Sequence, residues 1–588
     1  MKKSLLFSLA LLGAAVALGS CGGKGKDPVP SPGISVSPET QSVPVEGTTF
    51  SVAVRSSAPW TMSVAGNWVT GTMSGNTAGD GSATFVVAAN ASADVRSLKV
   101  VFTAGVAKDT LLITQPGAPV NFDVKFDPPS PATVPNQQNT TITAQLTANA
   151  SWSAAAADPS WVSITPSTGT GDARLSITAY ANTGLARSNT VTIKCGDRQV
   201  QYTVNQIAAA ANSYIVAPGA TLSFPVSQAN ADGVTRIADG DVVVPLFLWG
   251  DRGGQGPNGV VNTIVMEGDG ATRCIKITAG TVQGNAVIAA QVGGATKWSW
   301  HIWVTPFDPV ATGQSYSGTE WGVGKPYYGK VMMDRNLGAL GSTPSTANTL
   351  AMGLLYQWGR KDPFPGHIQD WSAGTTEPAI YNADGSTSAA IIQHIGILSD
   401  NNLEFSIAHP ATFLIATGTA IDWYTSSGAQ RDDLWGKGVA KSAYDPCPPG
   451  WMVPQNVVWR DFSGAGNAFK DTGAAGYRSI YVLPADAAGG LNGLNGPGVY
   501  YSAADKTAQD WKYKIYYPST GYRWESDGAF YSVADLSVRC WSSMVATSGT
   551  AIGSPLEFIG YLSAGVPTIS FATTTNKARG VAVRCVSQ

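Results

Sequence analysis

The sequence predicts a mainly β, multidomain protein, with β-sandwiches in tandem followed by an α+β block. Three observations carry this expectation. Charged residues make up 13 % of the 588 positions, about half of the ~25 % usual in soluble domains. Glu occurs eight times, which deprives long surface helices of one of their main residues. Glycine supplies 66 positions, above the ~7 % background, and short segments of alternating apolar and polar residues lie between Gly, Asn, Asp and Pro, as strands do. The length fits roughly three to five domains, and a hydrophobic content of 44 % supplies their cores. With 37 Lys+Arg against 39 Asp+Glu, no basic surplus exists to neutralise phosphates, so nucleic acid is excluded as a partner.

The first element is an address. Lys2 and Lys3 precede an apolar run from Leu5 to Leu18, 14 residues long, too short to cross ~30 Å of hydrocarbon as a helix. Residues 1–20 therefore read as an export signal. Their end, Leu18-Gly19-Ser20-Cys21, resembles a bacterial lipobox, which implies a lipoprotein signal peptide and a diacylglycerol on the Cys21 thiol. Residues 21–33, rich in Gly and Pro, then form a flexible tether. A chain so lipidated is expected on the outer membrane, facing the cell surface, with the periplasmic face as the alternative.

The next two elements are copies of one another. Trp60, Asn67-Trp68-Val69, Arg96-Ser97 and Ile113-Thr114-Gln115 recur as Trp152, Ser160-Trp161-Val162, Arg187-Ser188 and Val204-Asn205-Gln206. The offset is 92 positions for Trp60 to Trp152, and 91 for both Arg96 to Arg187 and Gln115 to Gln206. Landmarks in one order at one offset mark a tandem repeat. Alternating stretches such as Thr84–Ala88, Leu98–Phe102 and Leu111–Thr114 make each copy an immunoglobulin-like sandwich, over 34–117 and 118–207. The paired Trp, the Arg-Ser element and the closing Gln resemble the BACON domain of Bacteroidota surface proteins, whose family implies association with carbohydrate. Trp60 and Trp152 are expected in the core, packed on the facing sheet.

Residues 212–308 read as a third β domain. Its closing run, Trp298-Ser299-Trp300-His301-Ile302-Trp303-Val304, alternates with period two and fits either a sugar-stacking platform or a strand at a domain junction. From 315 onward Trp and Tyr become frequent and two helices are expected, one over Thr349–Gly359 and one after Pro454 through Phe462. Three long motifs stand out: Val331-Met332-Met333-Asp334-Arg335-Asn336-Leu337-Gly338, Tyr356-Gln357-Trp358-Gly359-Arg360-Lys361-Asp362-Pro363-Phe364, and Asp445-Pro446-Cys447-Pro448-Pro449-Gly450-Trp451. With the ending Asn576-Lys577-Ala578-Arg579-Gly580-Val581-Ala582-Val583-Arg584-Cys585-Val586, they resemble the Fibrobacter succinogenes major paralogous domain. That resemblance implies an α+β, C-type-lectin-like fold over 315–588 with a ligand-binding surface. Calcium-binding triplets of the Glu-Pro-Asn or Trp-Asn-Asp kind are absent, so no metal and no cofactor is expected.

Sugar recognition by such a domain would use aromatic faces with polar neighbours. The aromatic residues between the family motifs are Trp423, Tyr424, Trp435, Tyr500, Tyr501, Tyr522 and Trp524, and these are the candidate ligand-binding residues. Beyond Cys21, five cysteines remain, an odd number that leaves at least one free or intermolecular. Cys447, in a Pro-rich turn, and Cys585, on the final strand, are expected to pair, by analogy with lectin-like folds that tie a late strand to the interior. Pairing of Cys540 with either is the rival.

Catalysis finds no foothold. Glu is absent between positions 47 and 266, and the later Glu residues are scattered rather than set as the carboxylate pair of a glycosidase. The four histidines form no zinc-protease pair, and neither a Gly-x-Ser-x-Gly elbow nor a Walker glycine loop is present. The expectation is a non-enzymatic lipoprotein, held in the membrane by its N-terminal lipid and binding a glycan or glycoprotein for adhesion. The alternative is a pilus-tip or envelope-assembly subunit with envelope or pilus proteins as partners, and behind it a polysaccharide-degrading enzyme.

Overall fold

The computed structural model describes residues 33–588 apart from 78, 137–138, 185, 315, 317–318, 344–348, 367–377, 379, 400, 417–421, 426–430, 437–439, 463–479, 484–489, 492–493, 496–497, 502–514, 532–536, 547–553 and 562–567. The first sandwich pairs two four-stranded sheets. One runs in the order Ile34–Ser37, Thr48–Ser56, Gly81–Val87, Val69–Ser74; the other runs Thr40–Ser42, Ala107–Gln115, Arg96–Ala104, Thr61–Ser63. Alternation turns Val52, Val54, Phe85, Val100, Phe102, Leu111 and Ile113 inward, where Phe85 and Phe102 meet edge to face with centroids 6.5 Å apart. The second sandwich repeats the plan with five strands against four, around its own core of Ile142, Leu146, Leu175, Ile177, Val191, Ile193 and Val204.

The expected boundary near 308–315 does not divide two cores. Strands Ser213–Val216, Ala295–Val304, Gly284–Val292 and Val243–Gly250 form a sheet that continues into Ile380–Tyr381 and Thr387–Ser388. One apolar cluster runs from Ala208 through Trp300 and Trp358 to Cys585. The Trp298–Val304 run is the reason, because both of its faces are buried. Trp300 packs on Phe224 at 5.4 Å, while Ser299 and His301 on the other face meet Asp362 and Tyr356 from the later segment. The run is a junction strand, and it offers no platform.

The later segment is β-dominated. Its main sheet orders Phe530–Tyr531, Tyr522–Arg523, Gly580–Ala582, Ser537–Ala546, Ser554–Tyr561 and Thr568–Thr574, with Leu355–Gln357 also paired to Gly580–Ala582. In place of the expected helix over Thr349–Gly359, an α-helix spans only Thr349–Met352 and Leu355–Gln357 is a strand. Gly353 ends the helix at φ +76°, where a Cβ would lie 2.6 Å from the Leu337 carbonyl oxygen. The segment after Pro454 is a 3-10 helix, Asn456–Phe462, and a helix not anticipated spans Asn402–Ala408. Cys447 and Cys585 are disulfide-bonded, with Cα atoms 6.0 Å apart. Cys195, Cys274 and Cys540 are buried thiols.

Candidate functional site

The repeat landmarks converge on one clasp in each sandwich. Arg96 Nε donates to Gln115 Oε1 at 2.8 Å, and its guanidinium lies 4.4 Å over the Trp68 ring. Arg187 does the same with Gln206, at 2.8 Å, and with Trp161, at 4.3 Å. The free arm of each Arg and the amide of each Gln tie down neighbouring carbonyls, Ala88 in the first copy and Tyr180 in the second. Trp60 and Trp152 are 2 % and 5 % exposed, and their indoles donate to Gly79 and Gly171 carbonyls, each at 2.9 Å. Trp60 and Trp152 are spent on the cores and present no face to a ligand, while Trp68 stays half-exposed under its Arg96 guanidinium.

A further repeated residue escaped the sequence reading. Asn90 donates through Nδ2 to the Pro116 carbonyl, and Asn182 to that of Ile207. Each sits beside a joint, where Ala118 N donates to Ser92 O and Ala209 N to Gly184 O, both at 2.8 Å. Asn at the same offset as the other landmarks was the available signal. Beyond the second joint a cleft of about 430 Å³ opens between the second sandwich and the third block. Its Arg187 and Gln206 belong to the clasp, and its Lys276 pairs with Glu267 at 2.9 Å.

Of the expected aromatic ligand residues, Trp423 and Trp435 are excluded by burial. Both are 0 % exposed, with indoles donating to the Trp358 and Arg360 carbonyls. An indole can satisfy its single donor in the interior, and here the acceptors lie over sixty residues away in sequence. Tyr424 is half-buried beside Trp423. Tyr500 and Tyr501 lie on the strand Gly498–Tyr501, and their side chains fall outside the described residues, as does Cys21.

Tyr522 and Trp524 do come together at a surface. Successive strand residues point to opposite faces, so Tyr522 and Trp524 stay half-exposed while Arg523 between them is buried. Arg523 donates inward to Pro365 and Gly528 carbonyls. The chain then turns at Gly528, φ +71°, and returns so that Tyr531 pairs with Tyr522 across the hairpin. The rings of Tyr522 and Tyr531 are near parallel, 6° between planes at 5.8 Å, and Trp524 lies 5.7 and 5.5 Å from them. Arg579 sits 5.2 Å over Tyr522 and 4.7 Å over Trp524, and Arg539 lies 4.8 Å over Tyr522. Glu525 binds Arg579 through both oxygens, at 2.8 and 2.9 Å, and accepts from Asn576. Tyr531 donates to Asp527, whose charge raises the phenol pKa. The result is a rigid aromatic patch rimmed by carboxylate, amide and guanidinium, able to stack on an apolar ring face while hydrogen-bonding its hydroxyls.

Behind the junction strand runs a buried polar chain. Asp251 accepts from Asn285 N and Nδ2, Asn285 Oδ1 meets His301 Nε2 at 2.8 Å, and the Tyr356 hydroxyl is 3.5 Å from His301 Nδ1. These groups are all 4 % exposed or less. Burial pushes the His301 pKa down to about 3 and raises that of Asp251. The folded chain therefore binds fewer protons at His301 than the unfolded chain between about pH 3 and ~6.5. This contribution is complete above pH ~6.5 and lost as pH falls, at up to ~1.4 kcal/mol per pH unit. Asp251 acts in the opposite sense, so a variant isolates the effect: urea midpoints should fall less from pH 7 to pH 5 in His301→Gln than in the parent. Equal losses in the two proteins would reject it. Among the described residues no three His, Cys, Asp or Glu side chains group as metal ligands.

Residues 58–116 and 150–206 match the family BACON, described as "Putative binding domain, N-terminal". No curated protein sequence matches the chain. Among solved structures, the chain is similar to a Bacteroides ovatus GH5 xyloglucanase in complex with a XXXG heptasaccharide. Identity is 22 % and the TM-score 0.14, over 17 % of this chain and 21 % of that one. Similarity to the Yersinia pseudotuberculosis adhesin InvE has 14 % identity and a TM-score of 0.22, over 30 % of this chain and 59 % of the other. Titin domains I67–I69 align at 10 % identity and a TM-score of 0.18, over 46 % and 97 %. The chain thus spans less than two thirds of both the xyloglucanase and the adhesin. The matched family segments are the two sandwiches built on the Arg–Gln–Trp clasp, which form a tandem pair of BACON-like domains.

Proposed function

We propose that this chain is a non-enzymatic surface lipoprotein, anchored through Cys21, whose later segment binds glycan or glycoprotein. The observation that carries this reading is the Tyr522–Trp524–Tyr531 patch. Three rings are held half-exposed by cation–π and ion-pair contacts, so little side-chain entropy remains to be lost on binding. Sugars present a C–H face to stack on and hydroxyls for Glu525, Asn576 and Asp527. The clasped sandwiches act as spacers, because Trp60, Trp152 and Trp161 are committed to their cores.

Intact cells carrying the chain should bind a glycan array, and Trp524→Ala should reduce the signal at least tenfold, equivalent to ~1.4 kcal/mol. Cys21→Ala should release the protein from the membrane fraction, since stable anchoring rests on the acyl chains, and membrane retention of that variant would refute the anchor. Full binding by Trp524→Ala, or recovery of envelope proteins without any glycan signal, would overturn the glycan reading.

A further inference from the structure

A second cluster in the later segment carries chemistry that the proposed binding does not use. Lys577 and Asp422 are 155 positions apart in sequence, yet Lys577 Nζ is 3.6 Å from Asp422 Oδ2, with side chains 2 % and 1 % exposed. Asp422 Oδ1 accepts from Tyr424 N at 2.9 Å, whereas Oδ2 has no hydrogen-bond partner among the described residues. A third group completes the set, for Asp432 Oδ1 lies 2.6 Å from the same Nζ, on a side chain 45 % exposed. The ammonium is held in place by the Arg431 carbonyl at 3.2 Å and lies 4.9 Å over the Trp358 ring. The Lys577 carbonyl accepts from Trp358 N at 3.0 Å, which fixes its backbone.

We propose that Lys577 and Asp422 condense into an intramolecular side-chain amide, with Asp432 as the proton carrier. Amide formation needs a neutral amine, a protonated carboxyl, contact between them and no competing water. Burial, opposed by the Lys577 charge, holds Asp422 toward its protonated form. Asp432 is placed to take the proton that Lys577 must lose. Neutral Nζ then attacks Asp422 Cγ, the C–N bond forms, and one carboxyl C–O bond breaks. The departing oxygen leaves as water with the protons released by nitrogen, passed through Asp432. Ammonium and carboxylate become amide and one water, with no change of oxidation state and no co-reactant. Holding the two groups in contact in a buried site replaces the activation that such a condensation requires in solution. The bond would tie the Asp422 segment to the chain's last strands and, unlike the disulfide, would be indifferent to reductant.

The test is the mass of the full-length protein, reduced and denatured, followed by peptide mapping. The expected result is a deficit of one water and a branched peptide joining Lys577 to Asp422. Lys577→Arg should show no deficit from its own sequence mass, and Asp432→Asn should yield mostly linear peptides. Unmodified linear peptides carrying Lys577 and Asp422 from the parent protein would show an ordinary ion pair and overturn the proposal, whatever the variants do. A branch at another lysine would overturn it equally, and full cross-linking in Asp432→Asn would remove Asp432 from the mechanism.

Discussion

Trp152→Ala should lower the stability of the second sandwich by about 3–5 kcal/mol, the range for deleting a buried aromatic side chain. The indole is 5 % exposed and fills the space between the two sheets, with its N–H spent on the Gly171 carbonyl at 2.9 Å. Gly169 faces it across the strand pair, and a Cβ there would come within 2.4 Å of the ring. The backbone has thus closed onto the indole, and Gly169 has no side chain with which to refill the gap. Trp152→Phe should cost less, keeping most of the apolar contact while losing the hydrogen bond. The fragment 118–207, which holds this core nearly whole, lets urea denaturation read the effect directly. A midpoint unchanged in Trp152→Ala, coupled with lost glycan binding, would make Trp152 a ligand-contacting residue and reverse its assignment. Because the first sandwich has a separate core, its own transition should stay where it was in the full chain.

The sandwiches were legible because each landmark serves the same local device. Arg96, Gln115 and Trp68 must all be present for the clasp to close, so the repeat preserves their spacing along with their identity. Strand alternation added part of the core directly, from Phe85 through Val100 and Phe102 to Leu111 and Ile113. The junction was not legible for the opposite reason. Ser299 and His301 look like the wet side of a half-buried strand, but their partners Asp362, Asn285 and Tyr356 come from elsewhere in the chain. Trp423 and Trp435 misled in the same way, since polar sequence neighbours suggested surface loops while their donors found carbonyls in the interior. Tyr522 and Trp524 were recoverable because two aromatics flanking one Arg keep period two through a short hairpin strand. Tyr531, Arg579 and Arg539 joined them only through pairing across the sheet.

Removing the disulfide with Cys447→Ala and Cys585→Ala together should cost the later segment roughly 2–5 kcal/mol, as loss of a native bridge commonly does. The two cysteines are separated by 138 positions, and closing so long a loop removes much entropy from the unfolded chain, about 5 kcal/mol on the chain-entropy account. Changing both residues avoids leaving one buried thiol to find Cys540. The native geometry should survive, because the turn around Cys447 is held independently. Lys441 Nζ donates to the Cys447, Pro448 and Trp451 carbonyls at 2.5, 3.0 and 2.7 Å, and Asp445 accepts from Cys447 N and Val453 N, both at 2.8 Å. The loss should therefore come mainly through the unfolded state and appear as a lower melting temperature without a changed fold. Its reach tests the merged core. Trp298, Trp300 and Trp303 share one apolar cluster with Cys447 and Cys585, so the third block should melt together with the later segment at the lowered temperature. Calorimetry resolves this: a third-block transition that stays at the parent temperature would show two independent cores and refute the shared one. Transitions of the two sandwiches should not move, since their cores lie outside that cluster.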